Sequence, residues 1–152
     1  MSARDTFHDL VKQALQQDGW TITHDPYALS ADSFDLAIDL GAEKVIAAQR
    51  NETKIAVEIK TFAGPSKITE FYSAMGQFIA YRTARTALDK QDPDRALYLA
   101  VPDNLYDKFF ATPFLQELIQ NNQIYLITYN INQETLSQWI PTPSTVPISK
   151  PS

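Results

Sequence analysis

Cysteine is absent from this 152-residue chain, which excludes disulfides, thiolate nucleophiles, iron–sulfur clusters and cysteine-ligated zinc. Histidine occurs only as His8 and His24, too few for a histidine-rich metal centre. The four glycines build no phosphate-cradling loop and no nucleophile elbow. No apolar run approaches the roughly 20 residues that cross a bilayer, and the opening MSARDTFHDL lacks the apolar core of a secretory signal. These absences predict a soluble, cytoplasmic protein with no membrane contact. Lys and Arg form no block, and 13 basic against 18 acidic residues give a net charge of −5. Phosphate contacts supply most of the affinity of a stand-alone duplex binder, so the balance disfavours tight, unaided DNA binding.

What is present can build a core: 44% of residues are hydrophobic and 20% charged, enough for one domain of ordinary size. Residues 2–18 read as a helix capped by Ser2, with Phe7, Leu10, Val11, Ala14 and Leu15 in one stripe and Gly19 at its end. Trp20 to His24 reads as a short strand before the Asp25-Pro26 turn, and Asp35 to Leu40 as another. Lys44 to Arg50 and Lys54 to Phe62 pair as a hairpin around Asn51-Glu52. Gly64-Pro65-Ser66 breaks the chain and caps a long helix over 67–88, whose Ile68, Phe71, Met75 and Ile79 are expected to face the core. RALYLAV, from Arg95, has the pattern of a strand covered on both faces. Short helices at 104–110 and 114–121 and strands at 124–129 and 135–140 follow. The segment 141–152 holds four of the nine prolines and reads as a flexible Pro-rich tail beyond a single domain at 1–140. A meander followed by a helical crossover predicts an α/β fold, a mixed central β-sheet flanked by helices.

The chemistry concentrates in KIAVEIKTF, Lys54 to Phe62, where Glu58 and Lys60 interrupt an apolar strand. Two apart in a strand, they share one face at a spacing of roughly 7 Å. Burying them costs desolvation unless they have partners or work to do; a structural ion pair is the plainer reading. Upstream, IDLGAEK adds Asp39 and Glu43. An acid, then Glu-x-Lys across a hairpin, suits metal-assisted phosphodiester cleavage. Two carboxylates hold Mg²⁺, the metal activates a water, and a lysine orients that water. With a two-residue turn Arg50 opposes Thr53 and Lys60 opposes Glu43, while Asp39 lies two alternations further on. Register therefore favours Glu43, and Asp35 stands third.

Asp39 followed by Glu58-Ile59-Lys60 resembles the PD-(D/E)XK pattern of restriction enzymes, junction resolvases and RecB-type nucleases. Ile38 stands in the proline's place and the Asp39-to-Glu58 interval is 19 residues. The element order αβββαβ resembles that superfamily's core and implies a restriction-endonuclease-like fold. Gln77 and Tyr81, in GQFIAYR, resemble the Gln-x-x-x-Tyr motif of RecB-type members. More of the chain resembles the XisH family: ARDTFHDLVKQAL, DGWTITHDP, DLGAEKVIAA, KIAVEIKTF, GQFIAYR and DRALYLAVP span about residues 1 to 140. These are cyanobacterial factors that control excision of the fdxN element during heterocyst development.

The two resemblances imply a controlling factor for site-specific DNA rearrangement, acting with a recombinase and a XisI-like companion. Its implied site has Asp39 and Glu58 holding Mg²⁺ or Mn²⁺, Glu43 as the alternative first ligand, Lys60 orienting water, and Gln77 with Tyr81 as positioning groups. Whether the chain is a metal-dependent endonuclease or a catalytically silent scaffold regulating a recombinase stays open in the sequence. Arg85 is a candidate phosphate contact, and Lys44, Lys54, Lys67, Arg82 and Arg85 surround the site in sequence as a positive rim. Asp5 reads as solvated, His8 as a boundary histidine, and Trp20 and Trp139 as core anchors. Core packing explains most of the aromatic segment YDKFFATPFLQELI, and part of it is expected to offer surface to a partner or to a second copy in a homodimer.

Overall fold

Helix α1 (Ala3–Gln17) turns Leu10, Val11, Ala14 and Leu15 inward, the three- and four-residue spacing of a single helical face. Gly19, at φ 91°, lets the chain leave the helix, and the Trp20 amide returns to Leu15 O at 3.0 Å. Strand β1 (Thr21–His24) follows, then a small ribbon of β2 (Ser30–Ala31) and β3 (Phe34–Asp35). Strands β4 (Val45–Arg50) and β5 (Thr53–Ile59) form the expected hairpin. Asn51 takes the left-handed conformation (φ 55°), which asparagine tolerates in tight turns. Arg50 therefore pairs with Thr53, and the ladder runs to Val45 opposite Glu58. The computed structural model describes residues 3–27, 30–31, 34–35, 45–88 and 95–141.

Helix α2 (Lys67–Leu88) begins where Ser66 Oγ accepts the Thr69 amide at 3.3 Å. Strand β6 (Ala96–Pro102), helix α3 (Pro113–Asn121), β7 (Leu126–Asn130) and β8 (Thr135–Ile140) complete the order. Between β6 and α3, the helix expected at 104–110 is instead a 3₁₀ turn (Asp103–Leu105) and a π turn (Tyr106–Phe110). The wider turn, closed by the Ala111 amide on Tyr106 O at 2.8 Å, carries Phe110 into the core.

The six-stranded sheet runs β1-β4-β5-β6-β7-β8. Strands β5, β6 and β7 are mutually parallel, and β1/β4, β4/β5 and β7/β8 pair antiparallel. Parallel neighbours need crossovers, which α2 and α3 supply. Alternate residues then fill two layers. Ala47, Ala56, Leu97, Leu99, Val101 and Leu126 meet Phe71, Phe78 and Tyr81 of α2 and Leu115 and Ile119 of α3. Ile46, Ile55, Val57, Tyr98, Ala100 and Ile127 meet Leu10, Val11 and Leu15 of α1. This is the mixed sheet with helices on both faces that the pattern predicts. Of the strand expected at 35–40, Asp35 is described: it ends the short strand Phe34–Asp35, which pairs with Ser30–Ala31 in the separate ribbon. Residues 36–40 and the tail beyond Pro141 lie outside the described residues. Among those described, no helix is long and apolar enough to cross a membrane.

Candidate functional site

Alternation along β5 decides where Glu58 points. Ile55, Val57 and Ile59 enter the layer under α1, whereas Ala56 enters the layer under α2. Glu58, two residues on, shares the face of Ala56. Its side chain has no solvent exposure, and Lys60 Nζ, on a side chain 15% exposed, lies 3.8 Å from Glu58 Oε1. The charges expected on one face therefore do form a pair. At that distance the contact is a charge pair rather than a hydrogen bond.

The backbone of Lys60 is held firmly. Its amide donates to Ala100 O at 2.9 Å, and the buried Tyr129 hydroxyl, from β7, donates to its carbonyl at 3.0 Å. Past Lys60 the chain reverses. Phe62 is left-handed (φ 53°) and buried, a strained state for a bulky side chain, with its ring edge-on to Phe110 at 5.2 Å. Lys67 donates to Phe62 O at 2.6 Å and to Gly64 O at 3.3 Å, while Glu70 accepts the Gly64 amide at 3.2 Å. The first turn of α2 thus clamps the loop that leaves Lys60.

Helix α2 buries a face that overlaps the expected one but is rotated from it, with Ile68 and Met75 packed at the margin of the core. Phe71, Ala74, Gln77, Phe78 and Tyr81 are buried; Ile68 and Met75 are half-buried, and Ile79 is exposed. Positions 71, 74, 78 and 81 form a complete helical stripe, and its three rings fill the layer above Ala47, Ala56 and Leu99. Gln77 and Tyr81 consequently lie in the same layer as Glu58, not on an outer face.

Asp39 and Glu43 lie outside the described residues, as do Lys44 and the side chains of Asp5, Asp35 and Arg85. Among the described residues, no three His, Asp or Glu side chains cluster as a metal site. Glu58 is the one described member of the implied ligand set. Two cations of the expected positive rim are committed inward: Lys67 to the loop carbonyls, and Arg82 to Gln123 O at 2.8 Å. His8 meets Asp25 Oδ1 at 2.9 Å, and Lys12 donates to Asp25 Oδ2 at 2.7 Å. Burial pushes the Asp25 carboxyl up, but the Lys12 hydrogen bond and the charges of His8 and Lys12 outweigh it and hold it below its usual value. Trp20 and Trp139 stack at 5.5 Å, with the Arg50 guanidinium 4.5 Å from the Trp20 ring centre.

Two buried polar residues escape sequence reasoning. Arg95 donates to Ile55 O at 2.8 Å and lies over the Tyr27 ring at 5.0 Å. Its position before an apolar strand is the only local signal. Tyr129 carries none, because its partner Lys60 is 69 residues away.

The profile of one family, described as XisH protein, matches residues 1–137. A crystal structure of an XisH family protein from Nostoc punctiforme is 45% identical, with a TM-score of 0.79, over 90% of this chain and 99% of that one. That of a fdxN element excision controlling factor protein from Anabaena variabilis is 46% identical, also at TM-score 0.79, over 90% and 98%. No protein of curated function matches the chain.

Proposed function

The chain belongs to the XisH family, and from that premise we propose that it controls excision of a DNA element through a nuclease-type site on β5. The observation that carries this reading is the fully buried Glu58 beside Lys60, in the layer that also holds Gln77 and Tyr81. A carboxylate placed there at the cost of desolvation, next to an ammonium that keeps some solvent contact, suits a hydrolytic centre better than a core. Val45 pairs with Glu58, so Glu43 and Asp39 are tethered two and six residues away. Full extension limits those tethers to about 7 and 20 Å, and the choice of first ligand falls between them.

Glu58 and that acid offer the hard oxygen ligands suited to Mg²⁺ or Mn²⁺. The bound ion would supply Lewis acidity at the phosphate and a more acidic water. Lys60, anchored at both ends of its backbone, would orient the water and balance developing charge. Gln77 and Tyr81 would fix the groups above it.

A second reading is favoured by the net charge of −5 and by the inward commitment of Lys67 and Arg82. In it the chain is a silent scaffold that regulates a recombinase together with a XisI-like partner. The test is a Mg²⁺ and Mn²⁺ titration on single-stranded, duplex and branched DNA, with and without such a partner, for wild type, Glu58→Gln and Lys60→Ala. Metal-dependent nicking lost in both variants is the expected result. Nicking that survives Lys60→Ala rejects the role of that lysine. No cleavage of any substrate under any condition favours the scaffold.

A further inference from the structure

The outward face of α2 carries no charge over its described side chains. Around Gly76, Tyr72 and Ala80 lie four residues to either side, and Ser73 and Ile79 three to either side; such positions share one helical face. Tyr72 is 49% and Ile79 36% exposed. The charged side chains described on α2 are engaged elsewhere, Lys67 and Glu70 with the loop after Lys60 and Arg82 with Gln123 O.

Gly76 is a second observation. Glycine inside a helix costs stability relative to alanine, and a Cβ built at Gly76 would meet no atom within 4 Å. Packing among the described residues gives no reason for the glycine. A close approach from outside does.

We propose that this face joins two copies of the chain about a twofold axis passing at Gly76. An isologous contact between antiparallel helices sets Gly76 against itself, Tyr72 against Ala80, and Ile79 against Ser73. Large side chains meet small ones on both flanks, as close packing requires. Charge selects the same occupant. At a net charge of −5, contact between copies through ordinary surface is repulsive, and this face escapes that repulsion. Charge depletion with an exposed tyrosine one turn from the axis is also the composition of an interface core. A partner recruited by charge would seek the acidic surface instead.

The test is independent of any cleavage activity. Sedimentation velocity of the full chain, from about 1 to 300 µM, should show a concentration-dependent dimer. Gly76→Arg should weaken it at least about 100-fold, as a bulky charge at an interface centre does. Gly76→Ala should weaken it about tenfold while raising the melting temperature of the monomer, which separates docking from folding. Because the chain has no cysteine of its own, Gly76→Cys should yield a disulfide-linked dimer under mild oxidation, and Glu52→Cys should not. A chain that stays monomeric throughout, a dimer indifferent to Gly76→Arg, or equal cross-linking at both cysteines overturns the proposal.

Discussion

Replacing Lys60 with methionine leaves the Glu58 carboxylate buried without the cation 3.8 Å away. Unit charges at that separation interact by about 4 kcal/mol at an effective dielectric near 20. Lys60 keeps 15% exposure, and its solvent contact screens part of this, leaving about 2–3 kcal/mol of coupling. The two partners differ, which makes the effect asymmetric. Glu58→Gln removes the desolvated charge and lets Lys60 turn to water, so it should change stability by no more than about 1 kcal/mol. Lys60→Met in the wild-type background should cost about 3 kcal/mol, and in the Glu58→Gln background less than about 1 kcal/mol. Urea denaturation of the four proteins at pH 7 measures the cycle. A Lys60→Met cost equal in both backgrounds within about 0.5 kcal/mol refutes the electrostatic coupling and, with it, the reason for treating the pair as a unit.

Three further outcomes follow from other contacts. The Asp25 carboxyl is held below its usual value by Lys12 and His8, so its contribution is complete above about pH 4 and fades as pH falls through the folded value. Asp25→Asn should cost up to about 1 kcal/mol at pH 6 and progressively less as pH falls below the usual carboxylate range, read from urea midpoints; a cost that does not fall with pH contradicts the assignment. Burial, reinforced by the neighbouring Tyr125, raises the Tyr98 phenol far above its usual value, so its stabilising share is full below about pH 10 and declines as pH climbs towards the folded value. Tyr98→Phe should leave the 295 nm titration of the folded protein unchanged up to about pH 11; a lost tyrosinate signal in that range contradicts the burial effect. Gly64→Ala would set a Cβ 2.9 Å from Glu70 Oε1, displacing the carboxylate that accepts the Gly64 amide and costing about 1 kcal/mol. The loss should largely vanish in a Glu70→Ala background, and full additivity counts against the clash.

Local codes were readable where a residue answers to its neighbours in sequence. Asn51-Glu52 with its flanking β-formers announces a two-residue hairpin, and the Arg50–Thr53 register follows from counting alone. The same count places Glu58 and Lys60 on one face, and their 3.8 Å contact is its consequence. Helix α2 misleads because aliphatic and aromatic side chains compete for the same layer. Phe71, Phe78 and Tyr81 fill it, and Ile79 is displaced to the surface although it is the more hydrophobic choice. Gln77, beside Phe78, is buried together with the rings. Arg95 and Tyr129 act through partners 40 and 69 residues distant, and no local periodicity encodes such reach. Of the segment expected as a strand at 35–40, Asp35 is the one described residue, and it pairs with Ser30 in the small ribbon.

Because β5, β6 and β7 run in one direction, Lys60, Asp103 and Asn130 all emerge along a single border of the sheet. There Asp103 already gathers Asn130 at 3.1 Å and Ser137 at 2.7 Å. Arg95, on the opposite border where β6 begins, fastens the Ile55 carbonyl instead. One margin thus gathers polar and charged side chains where three strands end, while the other ties β6 to the backbone of β5. A change at Asp103 would therefore loosen the ends of β7 and β8 and leave the Arg95 anchor untouched.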